Sequence, residues 1–402
     1  MNLDALRASL LGISAYRAVM DHPVMQKVMG LLTCLYQKDG EGALLAYTDL
    51  FYSMRQFSIP GLGALLHHHL RFDFSPYGEL VTQGGQDPVL EAAAKRDIAV
   101  LTQLAQTNCA VYQAAMRALL PECFSPVLDA LPYWETHVPF TWESLNDHYR
   151  EKGDSIFALH QAFVWENETL IHVHHPDIPQ LDALPGYESQ RREVLDNTRA
   201  LLDGKQVNNV LLYGPSGTGK SATVKSLLGI PGFENLRIIE LQKDGLAGIP
   251  KLVRTLSSKK QKFILFIDDL AFDADDHTYS LLKSILEGGV EPRPQNVAVY
   301  ATSNRRHLVR QTFSDRMGDE VDRNETIEEK TSLADRFGVR ILFEAMNKAQ
   351  YLDLVERMAR QAGITMDSAQ LRASAASWEV YHQGFTPRTA QQFLLNLLME
   401  HR

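Results

Sequence analysis

The sequence predicts an α/β protein: a parallel sheet flanked by helices in the second half of the chain, preceded by a mainly helical region and followed by a small helical bundle. Three observations predict it. Apolar, β-rich runs at Val210–Tyr213, Leu236–Leu241, Phe263–Ile267, Val297–Ala301 and Val339–Phe343 alternate with helical segments, and strands joined by single helices imply parallel neighbours with crossovers on the faces of the sheet. Gly214-Pro215-Ser216-Gly217-Thr218-Gly219-Lys220-Ser221 fits the pattern G-x-x-x-x-G-K-[ST] directly after the first of these runs and opens a helix over Ser221–Leu228. Residues 1 to about 165, by contrast, carry apolar residues at three- and four-residue spacing and no catalytic motif.

In order along the chain, the helical spacing is clearest in Ala43-Leu44-Leu45-Ala46-Tyr47-Leu50-Phe51 and in Leu101-Leu104-Ala105-Val111-Ala114-Ala115. Breakers at Pro60-Gly61, Ser75-Pro76-Tyr77-Gly78, Gly84-Gly85 and Leu131-Pro132 divide the region into several helices. Trp134, Trp142 and Trp165 near its end indicate a packed core. A Pro-punctuated connector follows over 166–190, with His175-Pro176-Asp177-Ile178-Pro179 and Leu184-Pro185-Gly186-Tyr187. The expected division is therefore 1–165 helical, 166–190 connector, 191–347 nucleotide-binding α/β domain and 348–402 helical lid.

Composition narrows the function. The formal net charge is −9, and residues 1–180 hold 11 Lys/Arg against 20 Asp/Glu while 181–402 hold 29 of each. An acidic first half argues against a nucleic-acid clamp there. Lys259-Lys260-Gln261-Lys262 and Arg305-Arg306-His307 with Arg310 are local basic clusters that read first as solvated surface. Cys34, Cys109 and Cys123 are odd in number and lack Cys-x-x-Cys pairing, which fits a reducing cytoplasm. No secretory signal pattern and no run of about 18 apolar residues is present, so a cytoplasmic protein without a membrane span is expected. His67-His68-His69 stand on a helix where adjacent positions share no face, and His172 with His174 make two ligands without a third.

The phosphate loop needs its residue types. Glycines let the backbone wrap a polyphosphate with N–H groups pointing inward, and the helix N-terminus adds positive partial charge. Lys220 would reach the β- and γ-phosphates, and Ser221 would ligate Mg²⁺. Phe263–Ile267 ends in Asp268 and Asp269, placed where ligands of a parallel sheet belong. Asp268 would hold Mg²⁺ through its water shell, and Asp269 would orient or deprotonate the attacking water. Asn304, after the next run, would reach the γ-phosphate or that water, with Thr302 as the fallback. Arg336 in Ser332-Leu333-Ala334-Asp335-Arg336-Phe337-Gly338 precedes the fifth run, where a guanidinium from a neighbouring subunit would neutralise transition-state charge.

This order of phosphate loop, Ile267-Asp268-Asp269, Ala301-Thr302-Ser303-Asn304 and Asp335-Arg336-Phe337-Gly338, followed by a helical lid, resembles the AAA+ ATPases. Gly186-Tyr187-Glu188, Asn208-Asn209-Val210-Leu211-Leu212-Tyr213-Gly214 and Tyr300 through His307-Leu308 look more closely like a bacterial AAA+ family filed as a domain of unknown function. The resemblance covers roughly 180–395. It implies an AAA+ core with a five-stranded sheet of order 5-1-4-3-2, ATP and Mg²⁺ at a subunit boundary of a homo-oligomer such as a hexameric ring, and a client that is a protein or a nucleic acid. It also implies that Leu184 and Tyr187 lie near the adenine, that Gly214 to Ala222 bind the phosphates, and that Arg388 in Gly384-Phe385-Thr386-Pro387-Arg388 senses the γ-phosphate from the lid. Two departures stand out: Pro387 replaces the usual small residue-Gly before the arginine, and Asp269 stands where most members carry Glu. An acid one methylene shorter suggests slower turnover.

The segment Lys243-Asp244-Gly245-Leu246-Ala247-Gly248-Ile249-Pro250 offers no aromatic for a threading loop, and Lys243–Phe263 has room for one helix, which disfavours an unfoldase and a replication initiator alike. Ser314–Lys330, with seven acids against three bases, is too polar to pack and reads as a mobile loop beside the site. Three functions remain: an oligomeric remodelling ATPase, a nucleotide-dependent switch that barely hydrolyses, and a DNA-associated loader using the Lys259 and Arg305 clusters.

Overall fold

A computed structural model of the chain describes residues 2–153, 155–181, 186–270, 286, 293–304, 336–382 and 384–400. Leu184, the Arg305 cluster and Ser314–Lys330 lie outside the described residues. The chain forms two compact units, Met1–Leu159 and His160–Arg402.

Helices α1 (Leu3–Leu11), α2 (Pro23–Tyr36), α3 (Gly40–Gln56), α4 (Leu62–Phe72), α5 (Pro76–Thr82), α6 (Pro88–Gln106), α7 (Cys109–Arg117), α8 (Ser125–Asp129) and α9 (Trp142–Lys152) build the first unit. Their starts are written in the sequence. Asn2, Asp39, Asp87 and Asn108 each accept first-turn N–H groups through the side chain, and Pro23, Pro76 and Pro88 occupy first helical positions whose N–H has no helical partner. A reciprocal capping box between Thr141 and Ser144 opens α9.

The helices close on one apolar core that includes Leu6, Val28, Tyr47, Leu66, Leu101 and Tyr149. Two polar clusters are anchored to it. Asp97, wholly buried, accepts N–H bonds from Ser14 (2.8 Å), Ala15 (2.7 Å) and Tyr16 (3.4 Å) on one carboxylate oxygen. Arg71 donates to Nε2 of His67 at 3.0 Å and to Nδ1 of His148 at 2.9 Å. Burial, with the Arg71 charge beside it, pushes the buried His148 down to about 4.

The second unit is a sheet with helices and a helical lid. Its strands are β1 (Ala162–Glu166), β2 (Thr169–His172), β3 (Val210–Tyr213), β4 (Leu236–Leu241), β5 (Lys262–Ile267), β6 (Val297–Ser303) and β7 (Val339–Leu342). Helix α10 (Glu188–Leu202) precedes β3, α11 (Lys220–Ser226) follows it, and α12 (Ile249–Ser257) lies between β4 and β5. Helices α13 (Lys348–Gln361), α14 (Ser368–His382) and α15 (Pro387–Glu400) form the lid around Tyr351, Leu354, Leu371 and Phe393.

The expectation of a five-stranded sheet is corrected: among the described residues the sheet has seven strands, in the order β2-β1-β4-β5-β6-β3-β7. Within it β7, β3, β6, β5 and β4 run side by side and parallel. The additional pair is a hairpin in the stretch where the sequence suggested the end of the helical region and a connector. Asn167 and Glu168 both have positive φ, the backbone a two-residue hairpin loop needs, and β1 adds parallel to β4. Trp165 on β1 is buried in this unit, its indole N–H donating to the Gly245 carbonyl at 2.9 Å. Strands β5 and β6 are almost wholly buried, so both faces are covered, and their tips deliver polar side chains to one end of the sheet.

Candidate nucleotide site

Lys220, Ser221, Asp268, Asp269, Thr302 and Asn304 are placed at that end by strand tips or by the segments directly after them. Leaving β3, the chain turns at Gly214 with φ of 142°, where a Cβ would stand 2.0 Å from the Phe343 carbonyl oxygen. Only glycine fits there. Gly217 and Gly219 also have positive φ, and α11 begins at Lys220. The Cβ position of Gly219 meets nothing within 4 Å, which leaves open space where the loop turns into the helix.

Lys220 is buried, and its ammonium donates to the carbonyls of Gly214 and Pro215, each at 2.8 Å, and to Oδ1 of Asn304 at 3.0 Å. Burial holds its pKa below the ordinary lysine value, Asp269 and Asp268 pull it back up, and Arg388 lowers it further. Asn304 in turn donates through Nδ2 to Oδ1 of Asp269 at 2.7 Å. Asp268, at the β5 tip, accepts on Oδ1 from the hydroxyls of Ser221 and Thr302, each at 2.6 Å, and from the Asp269 N–H at 3.2 Å. Lys220, Ser221, Asp268, Asp269 and Asn304 therefore share one hydrogen-bonded array with Thr302.

The array opens on a cleft of about 690 Å³ that also reaches the lid. Arg388 lines it from the start of α15, and its backbone N–H donates to the Gly217 carbonyl at 3.2 Å, joining lid to phosphate loop directly. Ser216, Gly217, Gly219 and Ala222 line the cleft, whereas Thr218 turns its hydroxyl to the Pro215 carbonyl at 3.0 Å. Two cations beside an open glycine turn suit a polyphosphate, and a hydroxyl with a carboxylate oxygen is the hard donor pair that Mg²⁺ takes. Ser221 and Asp268 would hold that ion.

Other expected residues are placed elsewhere. Tyr187 does not line the cleft; it caps α10 with φ of 60°, tilts against Phe343 at a centroid distance of 4.9 Å and donates its hydroxyl to the Glu344 carbonyl. Burial pushes its phenol up to about 12. Arg336 is exposed at the turn before β7 and does not line the cleft. Conversely, Asp177, Pro179 and Gln180 line it from the segment before α10, and Met358 and Gln391 from the lid. Sequence reasoning missed all five. Gln391 was within reach, since it lies three positions beyond Arg388 and so shares its helix face, but Asp177 sits in a stretch without periodicity.

The histidines of the hairpin also come together: His160 stacks on His172 at 4.2 Å, and His172 and His174 meet through Nε2 at 3.0 Å. Among the described residues no group of three His, Cys, Asp or Glu is arranged to hold a metal ion. Nor is any described helix long and apolar enough to cross a membrane.

A phosphate loop after β3, an acid pair after β5, an amide after β6 and a helical lid bonded to the loop define a P-loop protein of AAA+ architecture. The chain belongs to the family described as "Protein of unknown function (DUF815)", whose model matches residues 158–401. A search of curated proteins finds no match. Among solved structures it is similar to the Holliday junction branch migration motor RuvB of Thermotoga maritima, with 19% identity, 52% of this chain and 61% of that one covered, and a TM-score of 0.33. Two point variants of that protein align at 18% identity, with TM-scores of 0.35 and 0.34 and 61% and 63% of their length covered. The chain thus spans less than two thirds of those structures.

Proposed function

We propose that this protein binds ATP with Mg²⁺ and hydrolyses it to ADP and phosphate at a subunit boundary, using the cycle to remodel a macromolecular client engaged by its helical first unit. The observation that carries this reading is the single array linking Lys220, Asn304, Asp269, Asp268 and Ser221 at the mouth of a cleft that Arg388 lines from the lid.

In this reading Lys220 leaves the Gly214 and Pro215 carbonyls for the β- and γ-phosphate oxygens, and the loop N–H groups take the remaining phosphate charge. Ser221 and Asp268 would hold the divalent ion, which would supply charge neutralisation on the phosphates. Asp269 orients the attacking water and accepts its proton, and Asn304 fixes that carboxylate. Arg388 reaches the γ-phosphate from the lid. The exposed Arg336 completes the site of the next subunit, where a guanidinium is worth about 10³- to 10⁵-fold in rate.

ATP hydrolysis measured against protein concentration, with molecular size followed alongside, tests it on wild type, Lys220→Ala and Arg336→Ala. Activity should rise with oligomerisation and collapse in both variants. A monomer hydrolysing at full rate would overturn the inter-subunit mechanism.

A second reading, a nucleotide-dependent switch that barely hydrolyses, is favoured by one detail: the acid after Asp268 is Asp269, one methylene shorter than glutamate. Turnover above roughly 1 s⁻¹, ordinary for an enzyme, removes it.

A further inference from the structure

Asp269 has a backbone φ of 51°, in the left-handed region that few side chains other than Asn, Asp and His adopt readily. Two residues of β6 hold it there. The Thr302 hydroxyl accepts the Asp269 N–H at 2.9 Å while donating to Oδ1 of Asp268 at 2.6 Å. One residue further on, the Leu270 N–H donates to the Thr302 carbonyl at 2.7 Å, and the Ser303 hydroxyl donates to the Leu270 carbonyl at 2.9 Å. Thr302 itself is 2% exposed and lies at the wall of the cleft.

We propose that Thr302 is the positioning residue for both acids of the site, and that the left-handed turn it holds is the reason an aspartate stands at position 269. A hydroxyl supplies a donor and a strong acceptor from one atom. The donor end fixes the rotamer of Asp268, and the acceptor end fixes the backbone of Asp269. That backbone re-aims the shorter side chain: Oδ1 of Asp269 meets Asn304 Nδ2 at 2.7 Å, and Asn304 meets Lys220 at 3.0 Å. The missing methylene is thus offset by the turn, and a longer acid would need the backbone to leave it. Asp269 is the residue the geometry selects rather than a shortened glutamate.

The proposal rests on the reading of the cleft as an ATPase site, and its test separates the two. Crystal structures of wild type, Thr302→Ser, Thr302→Val and Asp269→Glu report φ at position 269 directly, and hydrolysis kinetics are measured on the same proteins. Thr302→Ser keeps both ends of the hydroxyl and should retain the left-handed turn, with kcat within about threefold of wild type. Thr302→Val matches the shape but loses the hydroxyl; position 269 should leave the left-handed region and kcat should fall about tenfold or more, while KM for ATP moves less than about threefold. Asp269→Glu should lower kcat. A Thr302→Val protein with the turn intact and wild-type kcat overturns the proposal, as does an Asp269→Glu protein faster than wild type. If wild type hydrolyses no ATP, the ATPase reading falls, and φ at 269 in Thr302→Val still decides the role of Thr302.

Discussion

Both units tie polar side chains into dense hydrogen-bonded sets, but to different ends. In the first, the buried Asp97 gives one oxygen to three backbone N–H groups and the half-buried Arg71 is gripped by two imidazoles, away from any described cleft. In the second, Lys220, Asp268, Asp269 and Asn304 make a comparably dense set of bonds, yet they line a cleft large enough for a ligand to exchange places with them. Hydrogen bonds that no ligand reaches stabilise a fold. The same bonds at the wall of a cleft make a site, because a phosphate or a cation offers each group a second partner.

That contrast is broken most sharply at Arg336. Its replacement by alanine should cut ATP turnover about 10³-fold or more, seen as lost concentration dependence in a phosphate-release assay. Undiminished turnover would mean the second unit's site is as self-contained as the first unit's core.

Next in size is Asp97→Ala, which strands the buried Ala15 and Tyr16 N–H groups. It should cost the first unit about 3 kcal/mol or more in denaturant unfolding, while leaving hydrolysis per folded molecule unchanged. The histidine clasp comes third. His148 sits at about 4 when folded, against an ordinary value of about 6.5. The unfolded chain therefore binds more protons between those two values, and stability falls as pH drops through that window. The loss should be on the order of 1–2 kcal/mol by pH 5, and His148→Gln should flatten the profile. Smallest is Thr141→Ala, which removes the α9 capping box and should cost about 1 kcal/mol by thermal unfolding.

The phosphate loop was legible in the sequence because its glycines answer a backbone requirement, seen at Gly214 against the Phe343 carbonyl. Asp268 and Asn304 were legible because buried strands announce their tips. The hairpin was not: β2 is four residues long and Thr169–His172 has little apolar contrast. The division of labour between Thr302 and Asn304 was also hidden, since it depends on the sign of φ at Asp269 rather than on residue type. Asp177 reaches the cleft from irregular chain that carries no periodic signal.

The hairpin has a practical consequence for anyone dividing the chain. Strand β4 is almost wholly buried, and β1 covers the backbone groups on its outer side. A fragment begun at residue 191 would bare that edge as a row of unpaired N–H and C=O groups on an apolar strand, an invitation to edge-to-edge aggregation. Four-residue β2 ends the sheet with a strand too short to recruit another. A soluble second unit should therefore begin before His160, and its hairpin is best understood as insulation.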